Sequence, residues 1–437
     1  MEQSRTVLAG KPVSANSGLC SLVGLIAFLA CLAWFPTSGL SNVNRAVIAI
    51  LATTIPMLLY ETFVGKVYRR PTTGLDWSLA SPRGPSEPLR CVIKLLGFAV
   101  TLAVIGFAYW VFPEYRKPMY GPFWQLLRDW LPWILGASIP YFVLIDQRMV
   151  DPHDGYWMAG MAVIGRFDRI DPKVLGQYVL GWLVKGYFLP LMLVFLVENM
   201  DDVVRQDLIQ KGDQSFLAVY RFGWTTAFAV DVIFATIGYM MTLRLFDSHI
   251  RSTEPTTLGW LVALICYPPF FPTFYDNYVP YDPGIGWGPW LNGMPVLQVL
   301  WGTVILVLVA IYAWASLIFG YRFSNLTHRG ILTNGAYRLT KHPAYVSKNL
   351  SWWLVSIPFI SHVGAGDALR HSAMLLCINI IYFLRARTEE RHLSADPTYV
   401  AYALWMNEHS LFSGLARWVP FLRYAPPKTW VAPQSPA

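Results

Sequence analysis

The chain has 437 residues, of which 55% are hydrophobic, 15% aromatic and only 14% charged, a balance that excludes an ordinary soluble globular domain and points to an integral membrane protein. Its formal net charge of +8 raises nucleic acid as a partner, but basic residues of a membrane protein gather in cytoplasmic loops, and no nucleic-acid partner is expected. The five cysteines, Cys20, Cys31, Cys91, Cys266 and Cys377, are odd in number and lack paired spacing, which argues against disulfides and a zinc site; no bound metal is expected.

A membrane crossing takes about 20 mostly apolar residues. Windows of that kind fall near 18–36, 44–63, 92–112, 124–145, 176–197, 223–243, 257–272, 297–319, 350–362 and 372–385, so the expected fold class is an all-α, polytopic helical membrane protein with about ten transmembrane helices. The first window is long enough to span and no small-residue cleavage site follows it, so it reads as a retained helix, not a signal peptide. The seventh, "LGWLVALICYPPFFPT", is short and broken by paired prolines, and the ninth is also short.

With the N-terminus inside, most of the 34 Lys and Arg residues fall in cytoplasmic segments. Among them are Lys66, Arg69, Arg70, Arg90 and Lys94, then Arg322, Arg329, Arg338, Lys341 and Lys348, then Arg385, Arg387 and Arg391. That bias places both termini in the cytoplasm, of a bacterial inner membrane or of an endoplasmic-reticulum-type membrane.

Along the way several features raise functional questions. Asp146, Asp151, His153 and Asp154 sit together without regular ligand spacing and read as a solvated loop. Lys185 and Asp231 fall near mid-membrane on windows of opposite direction, and the expected arrangement is an ion pair; the alternative is a polar lining for a substrate cavity. The aromatic segment "FYDNYVPYDPGIGWGPWLNG" reads as an interfacial belt or as a lid over a headgroup. The division expected is a multi-span membrane region over residues 1–294, with room for a lipid-substrate cavity, and a C-terminal unit over 295–437.

Two polar clusters flank the last helical hairpin, "LTNGAYRLTKHPAYVSKN" (332–349) and "YFLRARTEERHLSADPTYVAY" (382–402). A hairpin returns the chain to its starting face, so the two are expected to meet at the cytoplasmic membrane boundary. Basic donors, aromatic faces and adjacent carboxylates suit a mixed-charge ligand such as S-adenosylmethionine. From the residues alone, charged helix ends at a membrane surface explain the same pattern equally well.

The pattern G-A-Y-R-x-x-K-H-P-x-Y, followed after a membrane hairpin by R-x-R-x-E-E-R-x-L, resembles the isoprenylcysteine carboxyl methyltransferase and phospholipid methyltransferase group of integral membrane methyltransferases over roughly residues 295–410. The resemblance implies S-adenosylmethionine-dependent methyl transfer to a membrane-embedded lipid, a lipid-linked molecule or a prenylated cysteine, with the cofactor pocket open to the cytosol. It implies that Gly335, Tyr337, Arg338, Lys341, His342, Pro343, Tyr345, Glu389 and Glu390 bind the cofactor, and that Arg385, Arg387 and Glu390 act near the methyl acceptor. Ala336 stands where that group has Pro, and Lys341, where it has Arg, keeps the charge without the planar fork. Two other readings stay open. One is an NADPH-dependent sterol-type membrane reductase, against which "KHPAY" and the paired glutamates argue. The other is a non-catalytic transporter or receptor, for which the broken windows and the Lys185 and Asp231 ions speak.

Overall fold

The computed structural model describes residues 10–78, 88–206 and 215–428. It is 74% helix and 1% strand, in keeping with an all-α membrane protein, and among the described residues seven helices are long and apolar enough to cross a membrane. Backbone contacts divide the chain into two compact units, one of Leu19–Pro255 with Gly320–Arg329, the other of Met1–Gly18, Thr256–Phe319 and Gly330–Ala437.

The first unit holds α1 (Gly18–Trp34), α2 (Asn42–Phe63), α3 (Pro88–Val111), α4 (Gly121–Arg148), α5 (Gly155–Val163), α6 (Pro172–Arg205) and α7 (Phe216–Met240). All but α4 and α5 belong to the seven candidate spans. α4 is long, but Pro132, Pro140, Arg128 and Asp129 lie within it and it falls outside that set.

α3 and α5 approach at Gly97 and Gly160, where an added Cβ would run into the backbone of the facing helix. Of the acids expected in a solvated loop, Asp151 is exposed, whereas Asp146 is buried and, like Asp154, meets cations of α3. Asp146 takes a two-pronged contact from Arg90 at 2.7 to 3.0 Å and pairs with Lys94 at 2.9 Å. Asp154 caps α5 by accepting from the Trp157 N–H at 3.2 Å, and lies 3.6 Å from Lys94. Among the described residues no group of three His, Cys, Asp or Glu is placed to hold a metal. On α6, Lys185 stands over the indole of Trp182, 4.0 Å from its centre, so an aromatic face one turn away meets the ammonium that the sequence paired with Asp231.

Several contacts fix the segment Gly320–Arg329 to this unit, among them Arg322 to the Asp247 carbonyl and Asn325 to the Tyr239 hydroxyl, and Arg329 makes the most. Arg329 is buried, and its guanidinium donates to five backbone carbonyls: Ser248 at 2.7 Å, Gly238 at 2.7 Å, Phe323 at 2.8 Å, Met241 at 2.8 Å and Tyr321 at 3.0 Å. Those carbonyls belong to the end of α7, the turn after it, and the segment itself. Close by, a short antiparallel ladder joins β1 (Ser252–Thr253) to β2 (Thr327–His328).

The second unit holds α8 (Thr257–Leu264), α9 (Phe270–Tyr278), α10 (Trp287–Trp290), α11 (Pro295–Phe319), α12 (Pro343–Ser356), α13 (Ala365–Leu393), α14 (Pro397–His409) and α15 (Ser413–Trp418). Only α11 and α13 belong to the candidate spans. The window at 257–272 is two short helices separated at Pro268 and Pro269, because neither proline can continue a helix by donating an N–H. The window at 350–362 is the end of α12, whose 14 residues reach about 21 Å against a hydrocarbon core of about 30 Å.

Cys266, Phe271, Phe274, Val279 and Tyr281 pack on Leu375, Ile378 and Tyr382 of α13, together with Tyr345, Trp352 and Trp353 of α12. Residues 256–294 therefore share a core with the C-terminal hairpin. The aromatic segment contributes to it through Tyr281, whose ring lies 6.3 Å from that of Trp352. α14 packs a separate core of Tyr399, Val400, Tyr402, Ala403 and Met406 against Ile331 and Tyr424.

Two predictions concern the first unit. Arg329→Leu removes all five donors and leaves their acceptors buried, and the expected loss is about 3 kcal/mol or more, read as a lowered thermal midpoint in detergent; Arg329→Lys, with three donors, recovers part of it. His249, in the turn after α7, is pushed well below the ordinary imidazole value by burial and then by Arg244, Arg251, Arg329 and Arg322. The unfolded chain takes up a proton that the fold refuses, so stability is full above about pH 6.5 and falls below it by up to about 1.4 kcal/mol per pH unit. His249→Gln is expected to flatten that acid limb when the midpoint is followed against pH.

Candidate functional site

α12 begins at a proline for a local reason. Pro343 occupies its first turn, where a missing N–H costs nothing, and His342 is the residue just outside. Before it, Gly335 adopts φ +53°, and a Cβ there would run into Ile318 of α11. The loop 335–342 is thereby held close to α11 before it turns into α12.

Helical spacing then presents one stripe from each helix. Tyr345, Lys348 and Trp352 are three and four apart along α12, as are Tyr382, Arg385 and Glu389 along α13, which places each trio on one face. The stripes meet antiparallel. The Tyr345 hydroxyl donates to Glu389 Oε2 at 2.9 Å, and the Arg385 guanidinium lies 5.2 Å from the centre of the Tyr345 ring. Lys348 Nζ lies 5.9 Å from the Tyr382 ring. Farther along, Asn379 donates to Asn349 Oδ1 at 2.6 Å and accepts from Trp353 Nε1 at 2.8 Å.

Where the hairpin closes, Glu390 gathers three partners. Its side chain is buried, with Lys341 Nζ at 2.5 Å, His342 Nε2 at 3.3 Å and Arg387 Nη1 at 2.8 Å. The His342 and Tyr345 rings are nearly parallel, 8° apart with centres 5.5 Å apart. Burial raises the Tyr345 hydroxyl well above the ordinary phenol value, Arg385 opposes that and Glu389 adds to it, so Tyr345 remains a neutral donor. Lys341 also lies over the Tyr424 ring, 5.4 Å from its centre.

The expected site residues divide by location. Lys341, His342, Tyr345, Arg385, Arg387, Glu389 and Glu390 form one connected cluster. Pro343 is buried at the helix start beneath it. Gly335, Tyr337 and Arg338 make their contacts elsewhere: Gly335 on α11, Tyr337 against the Phe319 ring and, through its carbonyl, the Tyr402 hydroxyl, while Arg338 is exposed.

The cluster also contains residues that sequence reasoning missed. Arg385 is boxed by Tyr267, Tyr345 and Tyr382, and Lys348 by Tyr312, Trp352 and Tyr382. The helical spacing of Tyr345 with Lys348 and of Tyr382 with Arg385 was a legible signal. Tyr267, Tyr312 and Tyr424 arrive from distant segments and left none.

Chemically, Lys341 and Arg387 face the Glu390 carboxylate, Glu389 accepts from Tyr345, and Arg385 lies among electron-rich rings. Such a set accepts an ammonium at the carboxylates, a carboxylate or phosphate at the cations, and a positive centre against a ring face.

No family model matches the chain, and no curated protein or solved structure matches it. The likeness to membrane methyltransferases accordingly stands on the motif residues alone.

Tyr345 and Glu389 allow a clean measurement of the hairpin contact. Tyr345→Phe keeps the ring stack and deletes one hydrogen bond to a carboxylate, for an expected loss of about 1.5 to 3 kcal/mol. In a double-mutant cycle with Glu389→Ala, unfolding midpoints should give a coupling of about 1 kcal/mol or more; additive losses would show that the bond contributes nothing.

Proposed function

We propose that the protein is an integral membrane methyltransferase that uses S-adenosylmethionine and acts on a membrane-embedded lipid, a lipid-linked molecule or a prenylated cysteine, with its site at the cytosolic membrane boundary. The observation that carries this reading is the meeting of the two motif segments: Lys341, His342 and Tyr345 from one, Glu389 and Glu390 from the other, in direct contact across the α12–α13 hairpin.

The donor set fits the cofactor. Its ammonium suits Glu389 and Glu390, its carboxylate suits Lys341 and Arg387, and the parallel faces of His342 and Tyr345 suit its positive sulfur or its base. When bound, S-adenosylmethionine supplies an electrophilic methyl group on a sulfonium. This chain's residues then have three tasks: to hold both reactants in line, to exclude water, and to steady the acceptor. Arg385, held in its box of tyrosines, would hold an anionic acceptor group. For an amine or hydroxyl acceptor, His342 would receive the proton.

Calorimetry on the purified full-length protein in detergent tests the reading. S-adenosylmethionine should bind in the micromolar range, about −8 kcal/mol, and His342→Ala or Glu390→Ala should weaken it at least about tenfold, or 1.4 kcal/mol. Asp151→Asn, on an exposed loop, should leave it unchanged. Binding of NADPH in place of S-adenosylmethionine would sink the methyltransferase reading in favour of a reductase, and binding of neither would favour a non-catalytic role.

A further inference from the structure

The last described turns of the chain carry an apolar face that the second unit leaves uncovered. Leu411 lies in the turn before α15, Leu415 and Trp418 stand three apart on α15 itself, one side of a helix, and Ala416 is buried. Leu411 is 73% exposed, Trp418 86% and Phe421 64%. Such a surface is far too apolar to face water in isolation.

Its surroundings indicate what covers it. The Phe421 ring meets the Phe383 ring of α13 edge-on, with centres 5.9 Å apart. Phe383 ends an exposed stripe on α13 that continues through Ile380 and Leu376, and α13 meets the length and apolarity of a membrane span. Exposed apolar residues thus run from the outer face of a spanning helix onto the turn that follows α15. Arg417, Arg423 and Lys428 are exposed beside it; Glu408 is shared by Arg417 at 3.9 Å and Arg423 at 2.5 Å, which leaves the border positive. An apolar face rimmed by Arg and Lys is the pattern of a helix lying in the plane of a bilayer with anionic headgroups.

We propose that the turns from Leu411 to Phe421 form an in-plane anchor in the headgroup region of a leaflet that contains anionic lipid, and that the anchor holds the Lys341–His342 loop at that depth. The Leu411 N–H donates to the Leu339 carbonyl at 2.8 Å, two residues before Lys341. Tyr424 lies against Lys341 and is tied to Asn407 by two bonds of 2.9 Å and to Ser394 at 2.6 Å. This inference is independent of the reaction proposed above.

The test uses the full chain in nanodiscs, with Trp418→Cys in a Cys377→Ser background carrying an environment-sensitive fluorophore, and Thr398→Cys, exposed at the start of α14, as the reference. The label at 418 should emit to the blue, be quenched by nitroxide on lipid chains and resist aqueous iodide, with the reverse at 398. Iodide reaching both sites alike would overturn the anchor. So would a blue-shifted label untouched by lipid nitroxide, which would mean a protein partner such as a second copy. Lipid quenching at 418 should be severalfold stronger in discs with phosphatidylglycerol than in phosphatidylcholine alone, and the Arg417→Gln, Arg423→Gln double variant should lose that difference. Equal quenching of the 418 label in both discs, with both arginines unaltered, would overturn the anionic preference.

Discussion

A carboxylate is tolerated inside an apolar hairpin only where other groups replace its water, and Glu390, 5% exposed, meets that condition with Lys341, His342 and Arg387. The rest of the candidate site follows from this contact. Lys341 and His342 precede α12 while Glu390 stands near the end of α13, so the contact forms only if the two helices return side by side. Once they do, Tyr345 faces Glu389 and the Arg385 guanidinium comes to the Tyr345 ring. Removing Glu390 would leave several cations close together without their shared anion, an arrangement that opposes the hairpin.

The same rule governs the first unit with different partners. Arg329 is surrounded by carbonyls that helix and turn geometry leave over. Asp146 is met by Arg90 and Lys94, and Lys185 by an indole face. Carbonyl clusters, opposite charges and rings are three ways of stabilising an ion away from water. In a chain with only 14% charged residues, these buried charges stand at such fixed points.

What could be read ahead of the structure follows from the range of each interaction. Apolar runs and the returning hairpin are local properties, so the helical class and the meeting of "KHPAY" with "TEER" were legible. Window length alone does not distinguish a full span from α12, because the apolar residues of a short helix covered by neighbours look like those in lipid; among the described residues seven helices are long and apolar enough to cross. Opposite charge makes Asp231 the expected partner of Lys185. Trp182, one turn away on the same helix, was an equally local clue. Tyr267, Tyr312 and Tyr424 reach the site through tertiary packing, which no spacing within the sequence encodes.

Packing of apolar side chains is weakly directional, and on its own it would let α12 slip along α13 by a turn. Polar contacts at both ends prevent this. Toward the close of the hairpin stand Tyr345–Glu389 and the Glu390 cluster; farther along, Asn379 bridges Asn349 and Trp353. A slip of one turn, about 5.4 Å, would leave both sets unpaired in an apolar setting where each lost partner costs about 1 to 3 kcal/mol. Asn349, with no evident place among the motif residues, is thus explained by register: it is one of the contacts that hold Glu389 and Glu390 opposite the loop they must reach.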